Sequence, residues 1–252
     1  MELKNTSNPT LSMDIINKNA YAATGKAMTV QGAVNKTFVL LLLVLMGAIY
    51  TWSKAMTSFE TGAATNISVW SIVGSVAALV LALVISFKHH LAPKLAPIYA
   101  VCEGLLIGTI SALFEAMMPG IVIRAVLLTF CVLFTMLFLY KMRVIQVTQR
   151  FRTIVMVATI SIALAYLLSF ILQLFGVGSF INGTGNFSIL ISIVIVGIAA
   201  LNLVLDFDFI ESGAQRNLPA HYEWYGAFGL MVTLIWLYIE VLRLLSKVSS
   251  RE

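Results

Sequence analysis

The stretch Phe187–Phe209, FSILISIVIVGIAALNLVLDFDF, decides the fold. Nineteen residues pass before its first charge, at Asp206, and a helix of about 20 apolar residues is what crosses a hydrocarbon core. Six more runs of this texture predict six more spans: Thr37–Met56, Ile67–Phe87, Ala96–Met117, Gly120–Tyr140, Thr153–Phe175 and Trp224–Leu245. Hydrophobic residues make up 60% of the chain and charged ones 11%, against about 25% charged in an ordinary soluble domain. Lipid is therefore the solvent for most of the chain. Alternating segments of β-barrel type are absent. The class is an all-α membrane protein, a seven-transmembrane helical bundle over residues 37–252 behind a polar N-terminal arm, residues 1–36. That arm lacks the compact apolar centre of a cleaved signal peptide.

The charges set orientation and exclude a partner class. The net charge of +5 comes from Lys and Arg flanking the apolar runs, which argues for the bilayer and against nucleic acid. With the N-terminus inside, eleven basic residues face the cytoplasm: Lys4, Lys18, Lys26, Lys36, Lys88, Lys94, Lys141, Arg143, Arg150, Arg152 and Arg216. Four face outward: Lys54, Arg243, Lys247 and Arg251. This bias predicts a cytoplasmic N-terminus and, with seven spans, a C-terminus outside. The basic tail is discordant, and a last helix that does not fully cross, or six spans plus a re-entrant segment, is the alternative. Cys102 and Cys131 sit within apolar runs and read as small buried hydrophobes.

Ionisable residues inside spans are costly and so mark function. They are Glu103 and Glu115, Arg124, Asp206 and Asp208, and Glu240, with Glu223 at the mouth of the last span. Glu115 and Arg124 flank the tight turn Met118-Pro119-Gly120 and predict a structural ion pair. Glu103 has no evident cationic partner. Lys88, His89 and His90 read as a solvated basic collar, since adjacent histidines on a helix cannot both face one ion. On a helix Asp206 and Asp208 point about 200° apart, so at most one faces the bundle axis. An interior carboxylate near a second one suits a proton-operated switch or a site for a hard cation such as calcium. Glu240 lies some 16 residues into its span and Asp206 near the inner end of its own. The partner of Asp206 is therefore either Glu240 or Glu223. HExxH, nucleophile-elbow and paired-metal signatures are missing, which argues against an enzyme.

Asp206-Phe207-Asp208-Phe209-Ile210 and Trp236-Leu237-Tyr238-Ile239-Glu240-Val241-Leu242-Arg243 together resemble the Bax inhibitor-1, or transmembrane Bax inhibitor motif, family. Ser7-Asn8-Pro9, Met28-Thr29-Val30-Gln31-Gly32, Lys36-Thr37, Glu223-Trp224-Tyr225 and Ala227-Phe228-Gly229 are similar to its bacterial, YccA-like and YetJ-like branch. The resemblance implies a central helix, the last, wrapped by the others. It also implies a pH-sensitive calcium leak in the plasma membrane, gated by Asp206 and Glu240 as an acidic pair, with calcium and protons as its ligands. Some members restrain membrane proteases or death pathways, so a non-transporting regulator with a membrane-protein partner is the second expectation. A proton-coupled carrier is the third.

Overall fold

In a bilayer every backbone N–H and C=O must be satisfied within the chain, and long apolar runs meet that demand as helices. The computed structural model describes residues 27–61, 67–176 and 185–250. It contains α1 (Val30–Thr61), α2 (Ile67–Phe87), α3 (Ala92–Met117), α4 (Ile121–Lys141), α5 (Gln149–Leu174), α6 (Asn186–Gln215) and α7 (His221–Ser249), with one 3-10 turn, His89–Leu91, before α3. Each expected span is found in its place. Six of these helices are long and apolar enough to cross a membrane, and α2 contributes the shorter apolar stretch Ser71–Phe87. The chain is a multi-pass membrane protein with a seven-helix bundle. Most of the arm, Ser7-Asn8-Pro9 included, and most of the loop between α5 and α6 lie outside the described residues.

The last helix is the centre. α7 packs against α1, α3, α4 and α6, and its buried residues include Gly226, Ala227, Met231, Leu234, Leu237 and Val241. Its 29 residues span about 43 Å, long and apolar enough to cross a membrane. α5 is the opposite case. Among neighbours it packs mainly on α6, and it buries only Val155 and Ser169.

α1 and α3 form the tightest crossing. A Cβ on Gly104 would lie 2.3 Å from the Val44 carbonyl oxygen, and one on Gly108 2.1 Å from that of Ala48. Gly104 and Gly108 thus bring two backbones into contact, the small-xxx-small arrangement of membrane helices. Ser111 on the same helix bonds the Tyr238 hydroxyl of α7 at 2.7 Å. One reading needs correction here: Cys131 is exposed on α4, among lipid-facing Leu127, Leu128 and Phe134, and only Cys102 is partly buried.

α1 begins at Val30 rather than Thr37, because tertiary contacts hold its polar first turns. The Met28 N–H donates to the Leu218 carbonyl at 2.7 Å, and Ala27 makes an antiparallel bridge to Pro219. The entry to α1 is thereby tied to the turn between α6 and α7.

Candidate functional site

Three acids close α6, and each goes to a different neighbour. Asp206 faces α7: its Oδ1 would lie 3.6 Å from a Cβ on Gly229, and the Thr233 hydroxyl is its hydrogen-bonding neighbour. Asp208 faces α5, accepting from Arg152 Nη2 at 2.7 Å. Glu211 faces α4, accepting from the Tyr140 hydroxyl and from Gln215 on its own helix. The divergence of Asp206 and Asp208 follows from helix geometry, as two residues turn the side chain about 200°.

Asp206 is the unusual member. Its Oδ2 is a buried polar side-chain atom with no hydrogen-bond partner, the one such atom among the described residues. The reason is local: the turn of α7 opposite offers Gly229, which has no side chain, and one hydroxyl at Thr233.

Glu240 is the reverse case, 1% exposed and surrounded by donors. The Tyr166 hydroxyl of α5 lies 2.9 Å from its Oε1 and 2.8 Å from its Oε2. Trp236 Nε1 donates at 3.2 Å and Arg243 Nη1 at 3.3 Å, with the Arg243 guanidinium over the Tyr166 ring. The expected pairing of Asp206 with Glu240 is therefore corrected. Glu240 lies seven residues beyond Thr233 and eleven beyond Gly229, about 10–16 Å along the helix, and its oxygens are engaged on the α5 side. The two carboxylates thus go to different neighbours. No group of three His, Cys, Asp or Glu among the described residues is placed to hold a metal ion.

Glu223 does not meet Asp206 either. It is 6% exposed, accepts from the Thr29 N–H at 2.8 Å and the Thr29 hydroxyl at 2.9 Å, and pairs with Lys36. Lys36 also lies over the Trp224 ring at 5.6 Å. A Cβ on Gly32 would collide with the Glu223 carboxylate, so glycine there makes room for it. Thr29, Gly32 and Lys36, matched earlier within motifs without a role, form the cradle of Glu223.

Glu103 and Glu115 lie away from these three acids of α6 and from Glu240. Glu103 is partly buried on α3, hydrogen-bonded to Tyr99, whose ring packs edge-on against Phe228 of α7. Glu115 does not pair with Arg124, a further correction. It accepts from the backbone N–H groups of Gly120 at 2.6 Å and Val122 at 3.1 Å. The turn leaves the first N–H groups of α4 open, and a carboxylate one turn upstream reaches them before a cation can compete. Glu115→Ala is expected to lower stability by about 1–2 kcal/mol, the value of a lost charged cap. Arg124→Ala, at an exposed position, is expected to leave the melting temperature unchanged. Equal losses from both changes would restore the ion pair.

Sequence spacing misses two groupings. His221 lies beside His89 and His90, so the fold gathers the chain's three histidines, with His89 edge-on to Tyr225 at 4.5 Å. Arg152, Thr159 and Tyr166 stand at seven-residue intervals on α5, and each meets a polar partner: Asp208, Asn202 at 2.8 Å and Glu240. The three make a polar stripe on a helix whose other residues are mostly exposed apolar ones.

A family model described as Bax inhibitor 1 like matches residues 8–250, nearly the whole chain. No curated protein matches the chain, and no solved structure does.

Proposed function

Because the chain belongs to the Bax inhibitor 1 like family, we propose that it is a pH-sensitive leak for calcium ions, with Asp206 as the carboxyl at which a proton and a cation compete. The observation that carries this reading is the buried, unpartnered Oδ2 of Asp206 against the central helix. A buried acceptor left without a donor costs free energy. A proton on that oxygen or a cation beside it removes the cost, and the two exclude one another. Calcium prefers six to eight oxygen ligands. A single carboxylate with one hydroxyl is far short of that, which suits a passing ion rather than a resident one. Glu240 takes a different part from its family-implied one: it fastens α5 to the central helix. No enzymatic step belongs to this reading.

The membrane is a plasma membrane, with the N-terminus in the cytoplasm and the C-terminus outside. The basic tail fits this better than its charges suggest. Arg243 is paired with Glu240, and Lys247 donates to Ser192 Oγ at 2.8 Å, so two of the outer cations are engaged within the bundle.

Calcium influx into proteoliposomes on either side of neutral pH tests the reading. Wild type is expected to respond to pH, Asp206→Asn to lose that response, and Glu240→Gln to keep it. Flux through Asp206→Asn that follows pH as wild type does would move the competition elsewhere. Absence of flux from folded wild type would favour the non-transporting regulator of a membrane protease or death pathway. Saturating flux that requires a proton gradient would favour a coupled carrier.

A further inference from the structure

α1 and α4 have no extensive contact among the described residues, and between them lies a cleft of about 1000 Å³ backed by α6 and α7. Phe38 and Leu41 of α1 and Leu133, Phe134 and Leu137 of α4 line its length, with Leu230 and Leu234 of α7 at the back. Where α4 ends, the lining turns polar, with Lys141, Arg143 and Gln146 beside Asp208 and Glu211.

We propose that this cleft is a binding site for one phospholipid of the surrounding bilayer, its acyl chains along Phe38, Leu41, Phe134 and Leu137 and its phosphate against Lys141 and Arg143. Three features select that occupant. The mouth opens between two membrane-spanning helices, so the medium at its entrance is lipid. The site is apolar along its length and polar at one end, which matches an amphiphile lying parallel to the helices. The charge available at the polar end is positive. Asp208 is neutralised by Arg152 and Glu211 is occupied by Tyr140 and Gln215. Lys141 and Arg143 belong to none of the three ion pairs among the described residues. Two unengaged cations at a helix end where headgroups lie are complementary to a phosphate.

The site holds a lipid whatever ion the bundle passes, so its test is binding and not flux. The full chain in detergent is offered dioleoylphosphatidylglycerol, dioleoylglycerol or inorganic phosphate, and retained molecules are counted by native mass spectrometry. Wild type is expected to retain one phosphatidylglycerol and neither of the others. Lys141→Ala with Arg143→Gly removes both charges, and Arg143 has φ 56°, so glycine suits its backbone. That double variant is expected to bind the phospholipid at least tenfold more weakly, with unchanged helix content. Leu137→Trp, which fills the apolar length and leaves both cations, is expected to weaken it too. Equal retention by the double variant would overturn the proposal. So would dioleoylglycerol held as well as the phospholipid, phosphate alone displacing it, or pairing of two protein copies that blocks all lipid.

Discussion

Gly108→Leu is expected to destroy the bundle: the variant should leave detergent extraction as aggregate, without the monodisperse peak of wild type. A Cβ at this position already lies 2.1 Å from the Ala48 carbonyl oxygen and 2.3 Å from Thr51 Oγ1. The first obstacle is backbone, which cannot rotate away, so the helices must separate to admit the side chain. The α1–α3 contact is the most extensive among the described helices, and overpacking of this kind costs about 3 kcal/mol or more. Gly197→Leu is the control, because nothing lies within 4 Å of a Cβ there. It should fold as wild type does. Aggregation of both variants would show that glycine content, not the crossing, governs folding.

The second large effect is Lys36→Met. Glu223 then keeps the two Thr29 donors but loses its cation at a position 6% exposed. Leaving one member of a buried pair charged and alone costs about 3–5 kcal/mol, whereas removing both members is far milder. Lys36→Met should therefore lower the melting temperature sharply, and adding Glu223→Gln should recover most of the loss. The sign of that recovery is the measurement. Additive losses would mean that Lys36 acts through its contact with Trp224 and not through the carboxylate.

The seven spans are legible in the sequence because apolar length alone specifies a membrane helix, with no competing demand. The start of α1 is not, since Thr29, Gln31 and Asn35 are polar; the helix begins at Val30 because Leu218 and Glu223, nearly two hundred residues later, hold Met28 and Thr29 just before it. The opposed directions of Asp206 and Asp208 follow from two steps of a helix. The partner of Glu240 does not follow. A tyrosine within an apolar run resembles any interfacial aromatic, and the charge at Asp206 draws attention to itself. The signal in the sequence is the seven-residue spacing of Arg152, Thr159 and Tyr166. Glu115 and Arg124 mislead for another reason: opposite charges nearby in sequence suggest a pair, yet open N–H groups lay nearer.

The three fastenings of α5 bear on how that helix leaves. In hydrocarbon a released polar side chain finds no water to replace its lost partner. Tyr166 cannot drift from Glu240 while Arg152 stays with Asp208, because a stiff rod joins them. Detachment at Tyr166 strands it and the buried Glu240 where no water replaces the lost bond. α5 is therefore docked or undocked as a whole, like a bolt with three teeth, and its motion should appear as exchange between two positions rather than as fraying from either end.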